Sequence, residues 1–441
     1  MTAGPEHLRQ GYRSWGGLVA RDSEIVPARD WIDRPAGHRR PALAYGNGRS
    51  YGDSCLNDGG TLIDTSDLAE VHAFDRDTGL LTCDAGVMLD RLLELVVPAG
   101  WFPPVTPGTA FVTIGGAIAN DVHGKNHHGA GTFGCHIRAL ELIRSDGERL
   151  ICAPDLNADL FAATIGGFGL TGLVTQVTLQ LMPIQSAQML QEVVHFDHLD
   201  RFFEIAAESD ATHDYTVAWI DSLASGARLG RGVFFRANHA PASFDPPPRA
   251  GRSLPFPLRP PFPLINRATL SAFNWLYRNA QPGSPAPRRI PYRPFFYPLD
   301  RIRDWNRAYG PKGLRQFQCV VPMANARDAV AEMLRRTLAA GEASFLTVLK
   351  IFGTRPSPGM MSFPIPGATL TLDFPNRGER TARLLAELDS IAIAAGGRIN
   401  PYKDARMPAA TFEASFPHWR DFARHVDPGF SSDFWRRVSA G

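Results

Sequence analysis

The sequence predicts an α+β protein of two domains. Three observations carry that reading. The chain has 441 residues, and a single hydrophobic core usually stops growing near about 250–300. Residues 42–182 read as short strands and helices with glycines at their junctions. After residue 315 the order is strand, helix, strand, strand, helix, which is that of an α+β sheet domain.

The elements follow in chain order. Residues 60–64 (GTLID) and 80–84 (LLTCD) have the apolar, β-branched content of strands, and residues 88–96 (MLDRLLELV) have helical apolar spacing ended by Pro98-Ala99-Gly100. Residues 137–143 and 149–152 flank Ser145-Asp146-Gly147-Glu148, so they are predicted to form a hairpin on an Asp-Gly turn. Residues 159–164 form a short helix stopped by Gly166-Gly167, and 173–182 (LVTQVTLQLM) alternate as a half-buried strand. Beyond 315, strands are expected at 316–321, 344–351 and 368–374. Helices are expected at 326–340 and 378–395, the latter ended by Gly396-Gly397.

Between these regular regions lies an unusual stretch. Residues 241–298 hold 15 prolines, and eight arginines face one acid, Asp245, a net +7. Proline removes donors from helices and sheets, so no regular core element is expected there. A surface loop, a lid and a membrane-surface contact all remain open, and Phe256, Phe262, Trp275, Tyr277, Phe295 and Phe296 are the aromatics such a contact would use.

Composition excludes several function classes. A formal net charge of +2 gives no global field for nucleic acid. Five cysteines without a CxxC pair argue against a disulfide framework or a thiolate metal centre and favour a reducing compartment. The first twenty residues lack the apolar run of a signal peptide, and no segment has 18 nearly uncharged apolar residues. The expected location is therefore cytoplasmic.

The chemistry is expected where glycines cluster: Gly46-Asn47-Gly48-Arg49-Ser50-Tyr51-Gly52, Pro107-Gly108-Thr109, and Gly115-Gly116 leading to Ala119-Asn120. Small residues at this density let backbone N–H groups close on a diphosphate. Neither GxGxxG nor GxxxxGK[ST] spacing is met, which disfavours a doubly wound nicotinamide domain. Directly afterwards, His123-Gly124-Lys125-Asn126-His127-His128 sets three histidines and a lysine in a loop of small residues, where side chains are expected to reach a cavity. Their spacing does not suit a metal, and none is expected.

The runs GNGRSYGD (46–53), VTIGGAIANDVHGKNHHGAGTFGCHIR (112–138), IGGFGLTG (165–172), WNRAYGPKG (305–313), FPIPG (363–367) and GGRINPYKDAR (396–406) carry a resemblance across nearly the whole chain. The sequence resembles the vanillyl-alcohol-oxidase-type (PCMH-type) FAD-binding oxidoreductases, in the branch that oxidises decaprenylphosphoryl-ribose. That resemblance implies an FAD-binding domain at 1–185, an α+β substrate-binding cap on an antiparallel sheet at 186–395, and a return to the FAD domain at 396–441.

It further implies that Gly46–Gly52, Pro107, Gly108, Thr109, Thr113, Gly115, Gly116, Ala119, Asn120, His123, Val174, Asn400 and Tyr402 hold the cofactor. Lys403 is implied as the catalytic lysine beside the flavin, with His123 and Lys125 facing its substrate side. Trp219, Tyr297, Gln316, Gln318, Lys350, Thr369 and Thr371 are implied around a sugar phosphate. The loop 46–52 lacks the histidine that tethers FAD in many relatives, so non-covalent FAD is expected. The implied reaction oxidises a secondary hydroxyl of a prenyl-phosphate-linked pentose to a ketone. The alternatives are a soluble polyol, sugar or aldonolactone as substrate, or a non-catalytic flavin-binding protein. Quinone or oxygen is the implied electron acceptor, an NAD(P)-dependent ketoreductase the implied pathway partner, and weak contact with the inner membrane face the implied association. Three positions depart from the branch: Thr371 stands where relatives carry a cysteine attacked by nitroaromatic inhibitors, Thr369 replaces an asparagine, and Asn400 replaces a tyrosine.

Overall fold

The computed structural model describes residues 11–37, 39–242, 253–281 and 283–440. Asp245, Arg249 and Arg252 of the proline- and arginine-rich stretch lie outside them.

The N-terminal part holds two sheets. Glu24–Pro27, Thr61–Asp64 and Ala42–Tyr45 form a parallel three-stranded sheet with Thr61–Asp64 in the centre. All four central residues are buried, as expected of a parallel strand covered on both faces. The second sheet is antiparallel, in the order Val71–Phe74, Leu80–Asp84, Leu173–Gln180, Ile137–Ile143, Arg149–Cys152. Its central strand Leu173–Gln180 alternates buried and half-buried residues along its length. The hairpin 137–152 closes as read from sequence, with Gly147 at φ +92° supplying the turn.

The second part is built on an eight-stranded antiparallel sheet. Its order is Ser284–Pro291, Gln188–Phe196, Gly232–His239, Tyr215–Ile220, Val348–Phe352, Gly367–Pro375, Leu314–Val321, Arg398–Ile399. Period-2 alternation assigns its faces. Phe317, Cys319, Val321, Leu370, Leu372 and Phe374 enter a core with helices Leu199–Asp210, Met323–Ala339 and Glu379–Ala394. Gln316, Gln318 and Thr371 consequently point the other way. That same core runs through Leu43, Leu62 and Phe168 to Phe412 and Phe434, so the C-terminal helices pack on the N-terminal part.

Three expectations are corrected. The predicted strand 344–351 starts only at Val348, because Ser344 spends its polar groups on side-chain bonding: its Oγ accepts from Asp373 N–H and its carbonyl from Ser222 Oγ. The sheet also extends past residue 395, since Arg398–Ile399 pairs with Cys319 and Val320.

The largest difference concerns 241–298. Arg267–Ala280 is a 14-residue helix with a capping box between Asn266 and Thr269. Ser284–Pro291 is a sheet strand, placed at the edge where proline is tolerated. Phe295 and Phe296 are buried, not offered to a membrane. Among the described residues no helix is long and apolar enough to cross a membrane.

Candidate active site

One cavity of about 1640 Å³ is lined by the glycine loops and by the cavity face of the eight-stranded sheet. It exceeds the roughly 300–1,000 Å³ of an ordinary small-molecule cleft, and so has room for a dinucleotide cofactor together with a substrate.

The loop 46–51 reaches the wall through close backbone approaches. Gly48 has φ +58°, and a Cβ there would lie 2.2 Å from Tyr45 Oη; a Cβ at Gly52 would lie 1.5 Å from Asp404 O. Only glycine fits either position. Gly52 therefore packs the loop against the C-terminal segment and does not itself line the cavity. Tyr51 N–H donates to Tyr402 O at 3.0 Å, and Tyr402 Oη donates to Gly166 O at 2.6 Å, so the loop is tied to the residue that precedes Lys403.

Asn47, Arg49, Ser50, Pro107, Thr109, Thr113, Ala119, Asn120, Val174, Asn400 and Tyr402 all line the cavity. A Cβ at Gly108 would meet nothing within 4 Å, which leaves an open backbone for a ligand to approach. The third glycine cluster, Gly115-Gly116, is not an anion nest, because Gly115 N–H is used by Ala85 O and Gly116 N–H by Thr113 Oγ1. It serves close packing: a Cβ at Gly115 would stand 3.0 Å from that of Ala85. The backbone shelf and the open Gly108 fit a flat dinucleotide such as FAD.

The catalytic candidates converge on one corner. Lys403 Nζ stands 4.1 Å from the centroid of the Tyr51 ring. Burial lowers its pKa to about 8, while Asp373 raises it. Lys350 Nζ lies 3.2 Å from His123 Nδ1 and donates to Gly124 O at 3.3 Å; burial, then Lys403, lowers its pKa to about 7. Burial and the lysines hold His123 well below its ordinary range, so it is neutral.

Lys125 lines the cavity, donates to Phe295 O and lies 4.3 Å from that ring. Burial lowers its pKa to about 7. The loop's other histidines do not reach the cavity. His127 packs on Phe352 at 4.4 Å, and His128 bonds His213 O. Local helical turning at residues 127–130 rotates them away, which a loop reading could not foresee.

Strand register places the cap residues. Gln318 is paired with Thr371, and Thr371 with Val348, so these three and Lys350 share the cavity face. Gln316 is cross-strand from Asp373 and donates to its Oδ1 at 2.5 Å. Thr369 and Tyr297 do not line the cavity. Thr369 lies behind Gln318, accepting from its Nε2 at 3.1 Å, and Tyr297 spends its hydroxyl on Thr106 Oγ1 at 2.5 Å.

Sequence reading missed an apolar wall. Across the strand order, the lining changes from Asn400, Gln316, Gln318, Thr371 and Lys350 to Val348, Trp219, Val217, Phe235 and Ile290, with Gln191 the polar residue among them. Phe273 and Tyr277 of the capped helix close over it, with Tyr277 at 4.9 Å from Trp219. The alternation of each strand carried this signal, but the strand order that joins the pieces did not.

Comparison with known proteins agrees with this geometry. A family profile described as FAD binding domain matches residues 30–153. The chain is 37% identical over 419 residues to decaprenylphosphoryl-beta-D-ribose oxidase of Mycolicibacterium smegmatis, covering 90% of this chain and 89% of that protein. It is 36% identical over 370 residues to an uncharacterized protein in the mprA 5' region of Streptomyces coelicolor, covering 80% of this chain and all of that one. With L-gulonolactone oxidase of Mus musculus it shares 31% identity over 140 residues, 31% of each chain. The flavin shelf and the near full-length likeness lead to one assignment: the chain is an FAD-dependent enzyme that belongs to the PCMH-type FAD-binding oxidoreductases, in the family of decaprenylphosphoryl-β-D-ribose oxidase.

Proposed function

We propose that this enzyme oxidises a secondary hydroxyl of a prenyl-phosphate-linked pentose to a ketone. The observation that carries this reading is the polar-to-apolar change across the sheet face of a single cavity. A soluble sugar would leave the Val348–Trp219–Val217–Phe235–Ile290 wall without an apolar partner, whereas a prenyl chain buries it.

In this reading Gly46–Tyr51, Pro107–Thr109 and Thr113–Asn120 hold the dinucleotide, with Asn400 and Tyr402 at its edge. When bound, FAD supplies the acceptor for the hydride lost from the carbinol carbon. Lys403 places a cation beside the ring that becomes negative. Neutral His123, its two ring nitrogens held by Gln318 and Lys350, forms a fixed part of the wall beside the substrate hydroxyl. Gln316, Thr371 and Lys350 orient the sugar, Trp219 covers it, and Lys125 faces the phosphate.

The prenyl chain leaves under the capped helix, whose outer face carries exposed Trp275 and Leu276. The enzyme in this reading meets its substrate at the inner face of the cell membrane, in a reducing compartment that suits its five free cysteines. Its ketone product calls for a ketoreductase using NAD(P)H, and reduced FAD for a quinone or oxygen acceptor.

The test is turnover of one preparation on a prenyl-phosphate pentose and on free polyols and aldonolactones. Turnover confined to the prenyl-phosphate supports the reading. Faster turnover of soluble substrates overturns it.

A further inference from the structure

We propose that Asp373 is a positioning residue for this site, its carboxylate serving as the counter-charge that keeps Lys403 an ammonium in a wall it shares with Lys350, Lys125 and His123. The inference rests on the reading that Lys403 stands beside the flavin.

The argument starts from how two buried carboxylates are treated. Asp121 is satisfied: its oxygens accept from Gly134 N–H at 2.8 Å and from the hydroxyls of Ser357 and Ser362 at 2.5 Å each. That is the pattern of a structural carboxylate. Asp373 is fully buried, yet only Oδ1 is bonded, to Gln316 Nε2 at 2.5 Å; Oδ2 has no partner. A buried carboxylate left this way is costly unless a nearby cation compensates it.

The compensating cation is Lys403. A contiguous row joins the two: Asp373 to Gln316, Gln316 to the Tyr51 hydroxyl, and the Tyr51 ring to Lys403 Nζ at 4.1 Å. The groups facing this row are Tyr51, Tyr309 and Gln316 on the Asp373 side, and Lys350 and His123 on the Lys403 side. Lys125 lies beyond Lys350. Among these charges Asp373 is the group that raises the pKa of Lys403. Without it, buried cations would face one another uncompensated, and the amine nearest the flavin would give up its proton.

The signs can be worked out. Burial lifts Asp373 to about 7, while Gln316 and Lys403 pull it down. Burial lowers Lys403 to about 8, while Asp373 pulls it up. Both charges are present together only between those values, and the pair titrates as a unit.

The test compares FAD-loaded unsubstituted enzyme, Asp373→Asn and Asp373→Glu between about pH 6 and 9, reading the midpoint potential of the bound FAD and the pH profile of its reduction by substrate. In the unsubstituted enzyme the potential–pH curve should bend near 7 and near 8. In Asp373→Asn the upper bend should move down by roughly one pH unit, while Lys350 and Lys125 still titrate near 7. At about pH 7.5 the potential should then fall, because Lys403 has lost its charge. Asp373→Glu should keep both bends.

Removing a bystander anion would instead raise the potential, so a rise, or an unmoved upper bend, overturns the proposal. Should Asp373→Asn fail to fold, the upper bend decides it: its absence near 8 in the unsubstituted enzyme, or its loss in Asp373→Glu, overturns the proposal. Lys403→Ala separates the two readings. An unchanged potential in that variant defeats the placement of Lys403 beside the flavin. A shifted potential there, with Asp373→Asn unmoved, defeats only the role of Asp373.

Discussion

Asn400 Nδ2 donates to Gln318 Oε1 at 2.8 Å, and this bond decides which way the Gln318 amide points. Asn400 is itself oriented by Tyr402 N–H, which donates to its Oδ1 at 3.0 Å. Gln318 Nε2 is thereby turned toward Thr369 Oγ1 and His123 Nε2, each at 3.1 Å. His123 Nε2 is thereby placed against the donor end of that amide, and its other ring nitrogen, Nδ1, faces Lys350 Nζ at 3.2 Å.

Asn400→Ala should therefore act on catalysis through His123. The buried Gln318 oxygen loses its donor, at a cost of about 1–3 kcal/mol. Thermal unfolding should show that loss, and kcat should drop more than KM rises, since the imidazole is no longer fixed. An Asn400→Ala enzyme with unchanged kcat would show that the relay is dispensable.

Lys403→Ala should nearly abolish flavin reduction by substrate in rapid mixing at saturating FAD, where cofactor loss cannot imitate a chemical defect. Lys125→Ala should mainly raise the substrate concentration required, because Lys125 Nζ is anchored on Phe295. An undiminished reduction rate in Lys403→Ala removes that residue from the chemistry.

Acid or heat denaturation should release intact FAD into the supernatant. Residues 46–52 contain no histidine. Cys55, the thiol in this wall, is pushed up to about 12 by burial and so is not a thiolate. Flavin absorbance remaining with the precipitated polypeptide would contradict this.

Much of the fold was legible because strands and helices bury one face. Leu173–Gln180 and Glu379–Ala394 follow directly from their periodicity. The helix Arg267–Ala280 was hidden by averaging: the surrounding stretch is proline-rich, but the segment from Asn266 to Gln281 contains none, and Asn266-x-x-Thr269 is a readable cap signal. The site was legible as a set of loops through its glycines, and its roles came from family resemblance. Asp373 was not legible, since its meaning depends on Gln316, 57 residues away in sequence and adjacent only through strand pairing. The same holds for Thr369 and Tyr297, which neighbour the cavity but spend their hydroxyls on Gln318 and Thr106.

Thr371 predicts resistance to inhibitors that require a cysteine adduct. It sits on the cavity face between Gln318 and Val348, and a hydroxyl without an activating base is a far weaker nucleophile than a thiolate. Intact-mass spectrometry after turnover with a nitroaromatic compound should show no adduct. Thr371→Cys should gain one, whereas a labelled Thr371 peptide would refute the argument.

The last prediction concerns the surface around the cavity mouth. Leu254, Leu258, Phe262, Trp275, Leu276 and Ile302 are each between 45% and 76% exposed, and Ile302 also lines the cavity, so the apolar surface is continuous with the proposed prenyl path. Exposed arginines at 259, 267, 288, 289 and 301 lie on the same and neighbouring segments of the chain. Exposed aromatics and aliphatics accompanied by arginine suit the interface of an anionic bilayer. Each basic residue near such a surface contributes on the order of 1 kcal/mol, and salt screens it. Cosedimentation with anionic liposomes is therefore expected at low ionic strength, weakened by salt and absent with neutral liposomes. Trp275→Ser combined with Leu276→Ser should reduce binding severalfold without lowering turnover of a short-chain, detergent-soluble prenyl-phosphate substrate, because both side chains point away from the cavity wall formed by Phe273 and Tyr277. Binding unmoved by both salt and the double substitution would assign this surface to something other than a membrane.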